Sequence, residues 1–134
     1  MFYTIKGRYL DDLDHKWDVQ FRKGTLEMAI LALLSHEPRY GLQILQKLHE
    51  FETMRITEGT LYPLLDRLKR DGLIDSYWVQ EGDTRPRKYY RVSDPGIRKL
   101  DALSARWRRS VDDIQGLLEQ SGMSEQGEHR NGKK

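Results

Sequence analysis

Apolar residues recur along most of this chain in threes and fours, the spacing that puts one side of a helix against a core. Leu10, Leu13, Trp17 and Phe21 set the first such stripe and predict a helix from about residue 11 to Arg22, ending near Gly24. Leu26 to Ser35 (LEMAILALLS) is apolar or alanine almost throughout, so this second helix, with Thr25 as its N-cap, is expected to be covered on every side. Its stop is His36-Glu37-Pro38, because the residue before a proline is pushed out of helical conformation. From Tyr40 to Phe51, Gly41, Ile44, Leu45 and Leu48 form a stripe against Gln43, Gln46, Lys47 and Glu50. Thr57 then offers an N-cap to a helix carrying Leu61, Leu64, Leu65 and Leu68, which runs to Asp71 with Gly72 just past its end.

Beyond Gly72 the period changes. Leu73 to Val79 and Lys88 to Val92 are β-branched and aromatic, and Gln80 to Pro86 between them is turn chemistry, so the pair reads as a β-hairpin with a long tip. Ser93-Asp94-Pro95 starts a last helix with proline in its first position. That helix carries Ile97, Leu100, Leu103, Trp107, Val111, Ile114 and Leu118 over about 25 residues. The fold class is therefore mainly α with a small β-hairpin. Three helices followed by a hairpin are the parts of a winged helix-turn-helix.

Composition narrows the chemistry. The 134 residues include no cysteine, which excludes disulfides, thiolate zinc sites and cysteine nucleophiles, and the four histidines have no ligand spacing. No cofactor or metal is expected. Asp11 and Asp12, or Asp112 and Asp113, are adjacent and so do not face each other, and there is no nucleophile motif or phosphate-cradling glycine loop. An enzyme is not expected. No run approaches the roughly 20 apolar residues of a membrane span, and the first residues (MFYTIK) lack the apolar stretch of a signal peptide. The expected compartment is the cytoplasm.

A net charge of +2, with 33% charged residues, does not by itself point to nucleic acid. Local arrangement does more. Opposite the leucines of the Thr57–Asp71 helix lie Gly59, Tyr62, Pro63, Asp66, Arg67 and Arg70. Gly59 lets backbone approach a phosphate, the Thr57 cap region presents amide groups at a positive helix end, and Thr60 and Tyr62 can donate to phosphates or base edges. Pro63 is expected to bend the helix where it removes a hydrogen bond. The bland alternative is a solvated amphipathic helix. Against it, Arg85, Arg87, Lys88 and Arg91 bring four cations within seven residues, with no acid among them, to the hairpin, whose tip could lie along a phosphate backbone.

Lys23-Gly24 before the leucine-rich helix, Tyr40-Gly41, EGTLYPLL from Glu58 with Arg67-Leu68, Asp71-Gly72-Leu73-Ile74 and RPRKYY from Arg85 together resemble the PadR family of bacterial transcriptional regulators. The resemblance covers Lys23 to Leu118, about 70% of the chain. It implies the family's short branch, with a single C-terminal helix, and a cytoplasmic, homodimeric, repressor-type regulator. The expected division is an N-terminal extension (1–22), a winged helix-turn-helix DNA-binding domain (23–92), a dimerisation helix (93–119) and a disordered tail (120–134). The function to be tested is sequence-specific binding of double-stranded operator DNA, relieved by a small ligand or other signal. DNA contacts are expected from Thr57, Gly59, Thr60, Tyr62, Pro63, Arg67, Arg70, Arg85, Arg87 and Lys88.

The rival reading is a winged-helix module that binds protein and not DNA, for which Asp66, Glu81 and Asp83 speak. The last helix supports a dimer on its own account, since its apolar stripe outlasts the domain it would pack against. Leu100, Leu103, Trp107, Val111, Ile114 and Leu118 are the expected interface, with Leu10, Leu13 and Trp17 nearby. Trp107 has two readings, an interface anchor or part of a site for a small aromatic effector. Tyr77, Trp78, Tyr89 and Tyr90 read as core and wing packing.

Overall fold

The structure, a computed structural model, describes Lys16 and residues 24–122. The first helix expected from the sequence, with its Leu10, Leu13, Trp17 and Phe21 stripe, lies outside the described residues, as does the tail from Met123 onward. The chain divides into two compact units, residues 1–100 and 101–134.

In the first unit, helix α1 (Thr25–His36) is capped by Gly24 at φ +88° and not by Thr25, which sits in the first turn. Glu37, before Pro38, is extended and ends the helix as expected. Leu26, Ile30, Leu31 and Leu34 form one buried stripe, while Met28, Ala29, Ala32 and Leu33 stay partly exposed. An apolar sequence all round the helix thus did not mean burial all round. Arg39–Tyr40 forms a short strand, β1, that was not anticipated; two residues are too few to show an alternating pattern.

Helix α2 (Gly41–Leu48) begins where the Tyr40 amide donates to the Gln43 side chain at 3.1 Å. It stops three residues short of Phe51, and one 3₁₀ turn (Glu52–Met54) leads to helix α3 (Glu58–Arg70). Gly41 lies where α2 meets α3: a Cβ there would fall 2.7 Å from Cζ of Tyr62. Only a glycine lets the two helices approach so closely. Helix α3 runs without a break through Pro63 and ends at Asp71 and Gly72. Gly72 (φ +76°) adopts the left-handed conformation, its amide donates to Lys69 and that of Leu73 to Leu68, a Schellman closure of the helix end.

Strands β2 (Ile74–Val79) and β3 (Arg87–Val92) pair antiparallel from Ile74↔Val92 to Val79↔Arg87, and β1 pairs on the other side of β3, giving the order β1-β3-β2. Ser93 joins the sheet to the last helix, α4 (Asp94–Gln120). Its hydroxyl donates to the Gly72 carbonyl (2.6 Å) and accepts from the Gly96 amide (3.1 Å). Ser93 therefore caps α4, and Pro95 is the second helical residue, not the first. The same serine ties the cap to the turn that ends α3. The core is aliphatic: Ile30, Leu31, Ile44, Leu48, Leu61, Leu65, Leu68 and Ile74 are fully buried.

The second unit presents the remainder of α4. The helix includes Gln120, the residue at which the tail was expected to begin. Along this part Trp107 is 50% exposed, and Val111, Ile114, Leu117 and Leu118 are exposed as well.

Candidate nucleic-acid interface

Helix α3 offers three kinds of surface. Its leucines point inward. On one flank Tyr62 lies against the start of α2 at Gly41. On the other, the Arg67 guanidinium makes an ion pair with Glu27 of α1. What remains is an outer ridge of Gly59, Pro63, Asp66 and Arg70, all exposed. At the N-terminus the Thr57 carbonyl receives the amides of Thr60 and Leu61 (3.1 and 3.0 Å). The Thr57 hydroxyl lies 3.4 Å from that of Thr60 and makes no capping bond to the helix. The amides at the helix start are thus left open by the cap, which suits an anion.

The sheet has two faces with different contents. Ile74, Ser76, Trp78, Lys88, Tyr90 and Val92 share the face turned to α3, as the register requires. Tyr90 is 4% exposed. Burial raises its phenol above the ordinary value of 10.0, and the neighbouring Tyr62 and Asp66 of α3 add to the effect. The Lys88 ammonium lies 5.8 Å from the Tyr90 ring. Trp78, one pleat further out, is 67% exposed.

The opposite face carries a ladder of rings and cations. Tyr77 stacks on Tyr89 with centroids 5.9 Å apart, and Tyr40 meets Tyr89 edge-on at 5.4 Å. Arg87 lies 4.6 Å above Tyr40 and Arg91 5.1 Å above Tyr77. A guanidinium over a ring still has N–H groups to offer an acceptor. Arg85 is exposed in the tip, where a turn closed by Thr84 onto the Glu81 carbonyl also exposes Glu81 and Asp83.

The structure therefore brings Thr57, Gly59, Thr60, Tyr62, Pro63 and Arg70 onto accessible parts of α3, with Lys88 on the sheet face turned to that helix. It sets Arg67 apart by giving it an acidic partner, Glu27, forty residues away in sequence. Sequence reasoning could not find that pair, because neither residue is marked by spacing. It also took Trp78 for packing. The alternation of the strand carries the missing signal: on the face of Ile74, Ser76 and Trp78 the first is buried, the second partly buried and the third exposed. In the second unit, Leu103, Trp107, Val111, Ile114 and Leu118 share one side of the helix, joined by the exposed Leu117; Leu100 belongs to the first unit and is partly buried.

Among the described residues no group of three His, Cys, Asp or Glu side chains could hold a metal ion, and no helix is long and apolar enough to cross a membrane.

A trihelical core with α2 and α3 as helix-turn-helix and β2–β3 as wing defines a winged helix-turn-helix protein. The profile of the Transcriptional regulator PadR-like family matches residues 30–102, and the chain belongs to that family. It is 31% identical over 99 residues to an uncharacterized protein of Lysinibacillus sphaericus, covering 72% of this chain and 91% of the relative. Over 81 residues it is 32% identical to the transcriptional regulator Rv3488 of Mycobacterium tuberculosis, covering 60% and 74% of the two chains. The crystal structure of a PadR family transcriptional regulator from Eggerthella lenta is similar with a TM-score of 0.73 at 38% identity, covering 84% of this chain and 97% of that one. The family is one of transcriptional regulators and not of enzymes.

Proposed function

We propose that the chain is a homodimeric, cytoplasmic repressor that binds double-stranded operator DNA and is released by a small planar aromatic ligand. The observation that carries the DNA reading is the outer ridge of α3: both flanks of the helix are fixed, by Gly41–Tyr62 and by Glu27–Arg67, and the ridge between them is left exposed beside Lys88. In this reading α3 enters the major groove. Thr57, Gly59 and Thr60 take a phosphate at the helix start, Tyr62, Pro63 and Arg70 lie along the groove, and Arg85, Arg87 and Lys88 hold backbone phosphates from the wing. Arg67 reaches a base edge only by leaving Glu27.

The dimer forms through Leu100, Leu103, Trp107, Val111, Ile114 and Leu118, of which Trp107, Val111, Ile114 and Leu118 are exposed along the second unit. Two copies of Trp107 across that interface make a slot for a flat ligand, since ring stacking and apolar burial favour planar compounds. A ligand there regulates by preferring one separation of the two DNA-binding units over another.

Asp66, in the middle of the ridge, and Glu81 and Asp83 in the tip favour the rival reading of a protein-binding module. A mobility shift on generic duplex at low salt decides between them. Binding is expected, and Lys88→Ala lowers the slope of log affinity against log salt by about one while weakening specific and random duplexes alike. No shift at low salt removes the DNA reading. Tryptophan emission titrated with planar aromatics, in parallel with the mobility shift, tests the effector.

A further inference from the structure

An indole exposed to two thirds of its surface is unusual on a strand whose first residue, Ile74, is fully buried. The register explains where Trp78 points. It pairs with Lys88 and shares a sheet face with Ile74 and Tyr90, the face that packs on α3. Trp78 is thus the part of that face that extends beyond the helix, and it looks to the same side as α3 itself.

We infer that Trp78 is the apolar contact of the wing with DNA, its indole lying on the deoxyribose edge of the backbone beside the groove that α3 enters. The inference rests on the DNA reading given above and adds to it a residue and a kind of contact. The chemistry around Trp78 selects this occupant. Lys88 is the cross-strand partner of Trp78 and shares its sheet face, with its ammonium 5.8 Å from the ring of Tyr90 on that same face. A flat ring next to cations is how proteins track a polyanionic backbone: the cations meet phosphates, and the ring covers the apolar sugar and base edges between them. Such a contact carries no charge of its own. It strengthens binding to every sequence and releases no counterion.

Two measurements separate this role from a structural one. In the unaltered chain, addition of a mixed-sequence duplex at about 50 mM salt changes the Trp78 emission, isolated as the difference between the unaltered chain and Trp78→Phe; neither Trp17 nor Trp107 is altered. The change saturates with the mobility shift. Trp78→Ala weakens specific and random duplexes by about tenfold with an unchanged salt slope, whereas Lys88→Ala lowers the slope, and Trp78→Phe recovers most of the affinity. Duplex binding with no Trp78 emission change, or with Trp78→Ala within about twofold of the unaltered chain, overturns the inference and leaves the DNA reading standing. A drop in molecular mass on Trp78→Ala also overturns it, because the indole is then covered by a second copy. Failure of the unaltered chain to shift any duplex removes the DNA reading and this contact together. The emission arm uses the native side chain and therefore stands even where Trp78→Ala does not fold.

Discussion

Helix α3 and the part of α4 beyond Leu100 carry the same pattern, large apolar residues three and four apart, and the structure treats them oppositely. Leu61, Leu65 and Leu68 are fully buried, whereas Trp107, Val111, Ile114, Leu117 and Leu118 are exposed. Spacing records which side of a helix needs cover. It does not record who supplies it. In the first unit α1, α2 and the sheet supply it within one chain, so the folding of that unit depends on its own core. In the second unit the stripe is exposed among the described residues, and in the proposed dimer a second copy covers it.

The largest effect that tests this contrast is on assembly. Changing Leu103 and Trp107 together to glutamate buries two charges at the proposed interface and yields monomers, so the mass by light scattering falls from twice 15.9 kDa to 15.9 kDa. An unchanged dimer mass places the interface elsewhere. Next in size is Leu65→Ala, which leaves a cavity in the first core and costs about 2–5 kcal/mol of stability. The two changes differ in kind. Leu65→Ala lowers the urea midpoint by the same amount at every protein concentration, while loss of the α4 stripe abolishes the rise of stability with concentration that dimerisation produces. Additivity of the two in a combined variant shows that the regions are energetically independent. A strong coupling merges them into one core.

The periodic elements were legible because each one repeats its signal. Four leucines in α3, the β-branched and aromatic residues of β2 and β3 and the long stripe of α4 all say the same thing several times. What escaped the sequence was either short or contributed by partners distant along the chain. Strand β1 is two residues long, and it matters because it sets Tyr40 beside Tyr89 and under Arg87. The end of α2 at Leu48 and the cap of α1 at Gly24 are decided by single residues, where propensity is weakest. At the candidate site the residue types were readable, but their engagements were not. Arg67 looked like its neighbour Arg70 until α1 placed Glu27 beside it, and Trp78 looked like Tyr77 until the register put it past the end of the space under α3.

The Glu27–Arg67 pair offers a smaller test, of how far the DNA-binding side of α3 is independent of the core that carries it. Its side chains are 25% and 50% exposed, so solvent screens the attraction and the pair contributes no more than about 1 kcal/mol. Glu27→Gln is expected to lower stability by less than that and to tighten operator binding, because it frees a guanidinium for a base edge. Arg67→Ala then loses about 1–3 kcal/mol of discrimination between specific and random duplex. If both variants lose stability and neither alters discrimination, Arg67 serves only to hold α3 on α1.

The smallest effect concerns Tyr90, the one aromatic among the described residues that is buried. Burial, with Tyr62 and Asp66 close by, disfavours the phenolate, so the folded chain holds this proton more tightly than the unfolded chain does. The resulting stability is fully present below the ordinary phenol value of 10.0 and is lost as pH rises through the raised value in the folded state. Melting temperatures measured from pH 9 to 11 therefore fall more steeply for the unaltered chain than for Tyr90→Phe, which has no proton to lose. The same difference is expected to persist in the monomeric Leu103/Trp107 variant, because Tyr90 and the two neighbours that disfavour its phenolate, Tyr62 and Asp66, all belong to the first unit. If the difference disappears on monomerisation, the first core is completed by the second copy, and the self-contained unit and the dependent one are no longer distinct.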